Sequence, residues 1–291
     1  MVTSIFDDIK NGFRLGNNLL RLIYFIGGVF LFFIILKIIG MMTNGGYNPP
    51  WYDFLFNSFR LNGDINYWIY RPWTLITYAF LHSGFLHVIF NLLILYWFGV
   101  ILADLIGEKR LLPYFFIGTL VGGLVFSLAF HFLPSGFNQG QFLIGSSAGA
   151  MALMFAAATI TPDYTLHLII LGPVKLKWIA FVYFIIDLSA ISMSSNTGGA
   201  ISHIGAALSG ILLIKGLQAG YDLPNWLYDI LNLKLPKKSN KIKSKIVSIN
   251  TKSNDDFNQE TKLNFILEKV RQKGYESLSQ AEKDFLKYYK A

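Results

Sequence analysis

The chain of 291 residues contains no cysteine, which excludes disulfides and thiol catalysis. Charge is scarce as well: 14% of residues are Asp, Glu, Lys or Arg, against 53% hydrophobic, with 26 Phe among the latter. A soluble domain of this length cannot hide so much apolar surface, so the composition points to a polytopic membrane protein. His82, His87 and His203 could ligate zinc, the main competing chemistry, but no HExxH motif and no carboxylate stands beside them. There is also no internal repeat of the kind on which many transporters are built.

What is present is a series of apolar runs long enough to cross about 30 Å of hydrocarbon as helices of about 20 residues. Six are expected, at 19–40, 85–106, 111–133, 142–160, 174–191 and 198–217, giving an all-α fold. The first is too long for a signal-peptide core and no small-residue cleavage site follows it, so it reads as a retained span. Lys10, Arg14, Arg21, Lys109, Arg110, Lys175, Lys177 and the basic tail fall on one side of the spans; Lys37, Arg60 and Arg71 fall on the other. This asymmetry predicts both termini in the cytoplasm and a multi-pass protein of the cytoplasmic (inner) membrane. The formal net charge of +8 then follows from topology and tail. Nucleic acid is unnecessary to explain it; anionic lipid near the tail is the expected partner.

Four regions are expected. Residues 1–18 carry Ile5, Phe6, Ile9 and Phe13 at helical spacing and suggest an interfacial segment. Residues 19–221 hold the six spans. Residues 222–256 begin with an amphipathic stretch around Trp226, Leu227, Ile230 and Leu231 and continue as a linker dominated by Lys, Ser and Asn. Residues 257–291 regain pattern, with Leu263, Ile266, Leu267 and Val270 on one face, a stop at Gly274, and Ser279 with Glu282 as a capping box opening a second helix. This predicts a small cytoplasmic helical hairpin. Between the first two spans, residues 43–83 form a connection rich in Trp and Tyr, expected partly at headgroup level, and residues 161–173 break helix on the inner side at Pro162 and Pro173.

Polar side chains inside apolar runs are costly and need a reason. His87 and Asn91 near the start of the second span, Ser147 near the start of the fourth and His203 near the start of the sixth share a depth, since these three spans run in the same direction. Counted from the run boundaries, Ser147 and His203 would each lie about 7–8 Å below the outer helix end. Gly145 and Gly149 form a GxxxG on the fourth run, and Ser202, Ala206 and Gly210 a ridge of small residues on the sixth, a pattern that lets two backbones approach closely. Such approach is what a serine nucleophile and a histidine base require. His87 and Asn91, one turn apart on one face, supply donors for an oxyanion together with the Ser147 N–H. His82 is expected in a structural role, bonding the outer connection. Asp187, the one acid deep enough to complete a triad, is expected instead to cap or bond the neighbouring outer loop. The plainer alternative for Ser147 is a packing residue between glycines.

These residues resemble the rhomboid family of intramembrane serine proteases from about Trp68 to Gly216. The family's GxSG motif is similar to Gly145-Ser146-Ser147-Ala148, its histidine motif to Ser202-His203-Ile204-Gly205, and its HxxxxHxxxN signature to His82, His87 and Asn91. The resemblance implies a six-helix core, a Ser147/His203 dyad, an oxyanion site at His87 and Asn91, and hydrolysis of single- or multi-span membrane protein substrates through an acyl-enzyme with no cofactor and no metal. Gly145, Ala148, Gly149, Gly205, His82 and Trp73 are expected to support the site. Gly274-Tyr275-Glu276-Ser277-Leu278 is similar to tails on Bacteroidetes-type members. There are departures. Ala148 replaces the glycine after the nucleophile, with a methyl group that could crowd the site. The family's Trp-Arg pair is Trp73-Thr74, with Arg71 displaced by two. Ala103 stands for a glutamate, and Met151 for an aromatic ring that stacks on the imidazole. The competing expectation is a rhomboid-like protein impaired in catalysis that binds or chaperones membrane clients.

Overall fold

The computed structural model describes residues 18–132, 142–168, 172–192, 196–222, 266, 269 and 278–288. Residues 1–17 of the expected interfacial segment, 223–256 of the amphipathic stretch and linker, and most of the first hairpin helix lie outside the described residues. Contacts divide the chain into two units, Met1–Leu233 and Lys234–Ala291.

Among its described residues the first unit is helical apart from two pairs of short strands. Helix α1 (Asn18–Thr43) leads through α2 (Pro50–Asn57), strand β1 (Leu61–Asn62) and the single turns α3 (Ile65–Trp68) and α4 (Thr74–Thr77) to α5 (Phe85–Ile106). Then follow α6 (Leu111–Phe132), β2 (Phe142–Leu143), α7 (Ser147–Ile160), the strands β3 (Thr165–Leu168) and β4 (Gly172–Lys175), α8 (Leu176–Ser192) and α9 (Thr197–Gln218). Among the described residues four helices are long and apolar enough to cross a membrane: α1, α5, α6 and α9. Helix α8 has 17 residues and α7 only 14, so two of the six expected spans are shorter than their apolar runs. At 1.5 Å per residue α7 covers about 21 Å.

The reason α7 is short lies before it. Residues 142–143 pair with β1, Leu61 opposite Leu143 and Asn62 opposite Phe142, and Gly145 follows with φ +117°. Non-helical backbone at this depth is tolerated because protein surrounds it. The Gly145 N–H donates to the Tyr78 carbonyl at 2.9 Å, and the Arg60 guanidinium lies 3.3 Å over the Phe142 ring. Ser147 is consequently the first residue of its helix, and the depth of about 7–8 Å counted from the run boundary does not hold.

Helix α7 sits in the middle, packed by α5, α6 and α9. Its alanines make it thin, and Ala148 through Met154, with Ala156 and Ala157, are buried. The expected glycine face is also corrected. Because residue 145 is not helical, Gly145 and Gly149 share no face: Gly149 takes the ring of Phe115 on α6, while the close approach to α9 is made by Ala152. A Cβ at Gly210 would lie 2.2 Å from the Ala152 carbonyl oxygen, and one at Gly205 would lie 2.7 Å from Val125 of α6. A backbone oxygen cannot swing aside. Gly210→Ala is therefore expected to cost at least about 1–3 kcal/mol of stability, read as a lower Tm in detergent. Gly28→Ala on α1, where nothing lies within 4 Å, should leave Tm unchanged.

One end of the bundle is tied by the Asn18 N–H bonded to Glu108 and by Arg110, which meets Asp222 at 2.7 Å after α9. Between α7 and α8 the expected helix-breaking connection is a β-hairpin, closed by Asp163 with Lys175 at 3.0 Å and Lys177 at 2.8 Å. These two ammonium groups hold the exposed Asp163 carboxyl below its usual range. In the second unit, α10 (Gln280–Tyr288) opens with the expected capping box: the Ser279 N–H donates to Glu282 at 2.7 Å and the Glu282 N–H to Ser279 Oγ at 3.4 Å.

Candidate active site

Two loops and three helices converge on Ser147. The level at which α7 and α9 meet is fixed by Gly122 of α6. A Cβ there would lie 2.8 Å from both the carbonyl oxygen and Oγ of Ser202, and 3.0 Å from Cβ of Ala148. Residues 148 and 202 thus both pack on Gly122, and the residues next to them in the chain, Ser147 and His203, lie on the two helices that meet there. Both are half-buried. The same contact bears on the methyl group of Ala148: it is turned toward Gly122 on α6, where the absence of a side chain receives it. Met151 is buried in the core.

Facing Ser147 is the first turn of α5. A Cβ on Gly145 would come 2.9 Å from His87 Nε2 and 3.7 Å from Asn91 Nδ2, so both side chains point at the loop that presents the serine. The His87 tautomer follows from its other nitrogen. The Ser83 N–H donates to His87 Nδ1 at 3.4 Å, and the Ser83 hydroxyl lies 3.0 Å from the same atom. An N–H can only donate, so Nδ1 accepts and Nε2 carries the proton. Asn91 is buried and spends one Nδ2 hydrogen on the His87 carbonyl at 2.9 Å, leaving the second without a partner among the described residues. Because α7 begins at Ser147, the unpaired N–H groups of its first turn add further donors and the positive end of a helix dipole.

His82 also bonds the serine loop. Its Nε2 accepts from the Ser146 N–H at 3.4 Å, lies 3.3 Å from Ser146 Oγ, and its ring meets that of His87 edge-on at 5.0 Å. It braces the serine loop from below. Burial first, and the nearby charge of His87 second, pull the His82 imidazole down from 6.5 to about 4. The folded protein therefore takes up this proton less readily than the unfolded chain, so its stabilising effect is complete above pH 6.5 and is lost as pH falls toward 4. His82→Asn is expected to flatten that acid limb when Tm in detergent is followed with pH.

The outer connection has its own anchors. Trp73 Nε1 donates to the Ser58 carbonyl at 2.8 Å and Thr77 Oγ1 to that of Phe59 at 2.8 Å, while Arg71 bonds the hydroxyl of Tyr67 and lies over its ring. Arg71, two positions displaced, thus still serves the loop. Asp187 makes a contact not expected from the sequence: its carboxylate lies 2.9 Å from His203 Nδ1. Its standing as an acid inside a span was the signal in the sequence. The helix start at Ser147 and the Ser83–His87 contact had none. Among the described residues, no group of three or more His, Asp or Glu is placed to hold a metal ion.

Fold and site together define a class: a polytopic helical membrane protein with a serine at a buried helix start and a histidine on the adjoining span. A family model described as the Rhomboid domain matches residues 70–219. The chain belongs to the rhomboid family. It is 29% identical over 184 residues to RHOMBOID-like protein 12, mitochondrial, of Arabidopsis thaliana, a match covering 57% of this chain and 54% of that protein. It is 24% identical over 165 residues to Rhomboid-like protease 3 of Toxoplasma gondii (54% and 56%), and 28% identical over 173 residues to Inactive rhomboid-related protein 2 of Caenorhabditis elegans (55% and 46%). The chain spans about half the length of these relatives.

Proposed function

We propose that the protein is an intramembrane serine endopeptidase that cleaves transmembrane segments of other membrane proteins. The observation that supports this reading is the packing of Ala148 and Ser202, the chain neighbours of Ser147 and His203, on Gly122, with His87 and Asn91 pointing at the Gly145 loop that precedes the serine. In the proposed reaction His203 Nε2 takes the proton of the Ser147 hydroxyl as Oγ attacks the scissile carbonyl. The resulting oxyanion is met by the Ser147 N–H, the Nε2–H of His87 and the remaining Nδ2–H of Asn91, donors that commonly contribute about 3 kcal/mol each. The leaving amine receives the proton from His203, and water, activated by the same base, then hydrolyses the acyl-enzyme. Orientation follows charge: Lys109, Arg110, Lys175 and Lys177 lie at the bundle end shared by the α5–α6 turn and the β-hairpin, which supports a cytoplasmic placement of that end.

The competing reading, a binding or chaperoning protein, draws on the similarity to a relative named inactive. Ala148 lends it little, since its methyl group is received by Gly122. A fluorophosphonate probe applied to the purified protein in detergent separates the two: mass spectrometry finding the adduct on Ser147 supports the protease, and a folded protein that takes no label supports the binder.

A further inference from the structure

An acid within a membrane span is costly and calls for a partner. Helix α8 turns most of its surface outward, with Trp178, Phe181, Val182, Ile185, Ile186 and Leu188 exposed, yet it carries Asp187 with its side chain only 13% exposed. Its partner is His203, equally sheltered at 13%, through a contact of 2.9 Å to Nδ1. A carboxylate accepts, so the proton of the neutral imidazole resides on Nδ1 and the lone pair on Nε2. That is the tautomer a base needs if it is to take a proton from Ser147. Met151 leaves the imidazole without the stacking ring expected of the family, and Asp187 supplies a hold of another kind, from a different helix.

We propose that Asp187 is a positioning residue for His203, fixing its tautomer and ring orientation, so that this chain works with a three-membered Ser147–His203–Asp187 arrangement. The proposal rests on the reading of Ser147 and His203 as nucleophile and base. Its test is the rate of fluorophosphonate labelling of the full chain in detergent for wild type, Asp187→Asn, Asp187→Ala and Asp187→Glu, with Tm measured alongside.

Asparagine is the decisive variant. It matches aspartate in shape and still bonds, but its amide can donate to Nδ1 and hold the proton on Nε2, the wrong nitrogen. A positioning role predicts labelling slowed by about 10²-fold or more in Asp187→Asn, at least as severely as in Asp187→Ala, with probe affinity unchanged and Tm close to wild type. Asp187→Glu, which restores a carboxylate, should recover most of the rate. A merely structural bond predicts the reverse order, with asparagine the mildest change. Labelling of Asp187→Asn or Asp187→Ala at the wild-type rate would overturn the proposal while leaving the dyad standing. Absence of label on folded wild type would overturn the dyad itself, and this proposal with it.

Discussion

Ser147→Ala and His203→Asn are each expected to abolish fluorophosphonate labelling and substrate cleavage, with losses of several orders of magnitude, while Tm in detergent changes little. The size of the effect follows from how the two residues act. Neither contributes a separable increment: without Oγ no acyl-enzyme forms, and without a base the hydroxyl keeps its proton, so removal of one member leaves little for the other to do. The small effect on stability follows from their surroundings. Both side chains are half-buried at the helix start and on the α9 face, and the packing at this level is made by their neighbours Ala148 and Ser202 against Gly122. Ser146→Ala serves as the comparison. Its hydroxyl lies near His82, its backbone N–H remains, and labelling should persist. Persistent labelling of Ser147→Ala, or its loss in Ser146→Ala alone, would show the nucleophile to be misassigned.

Gly145→Ala is expected to lower labelling by about 10²-fold or more, the scale of losing an oxyanion donor, although it adds only one methyl group. Two physical terms act together. At φ +117° an L side chain is strained, a cost of about 1–3 kcal/mol. The added Cβ would also meet His87 Nε2 at 2.9 Å and Cε1 at 3.1 Å, so it pushes against the donor the oxyanion requires. Gly220→Ala separates the two terms. Residue 220 has φ +89° with nothing within 4 Å of a built Cβ, so it carries the backbone strain without the contact. Its Tm should fall while labelling stays at the wild-type rate. Equal labelling of Gly145→Ala and wild type would mean that His87 lies outside the reacting geometry.

Five of the six apolar helices were legible in the sequence to within a few residues, because an apolar run bounded by polar or helix-breaking residues in a bilayer has few alternatives to helix. Helices α5 and α6 match their predicted limits almost residue for residue. The boundary that failed was the start of α7, where hydropathy continues from Phe142 to Ile160 but the backbone does not. What ends the helix there is pairing of Leu143 with Leu61 and the bond from Gly145 to Tyr78, partners about 80 and 70 residues distant, and no local pattern encodes them. The glycine ridge failed with it, since a helical face was inferred through a residue that is not helical.

By itself the sequence determined the class, the number and order of the apolar segments, and the set of polar residues to be watched, since each of these follows from composition and local spacing. Which groups touch was decided only by tertiary structure. That His82 braces Ser146, that the methyl of Ala148 finds room over Gly122, and that Asp187 reaches His203 from a neighbouring helix are matters of rotation and lateral packing. An apolar helix in a membrane has little amphipathic pattern to announce its rotation, and here the facing direction is set by small residues at crossing points such as Gly122, Ala152 and Gly210.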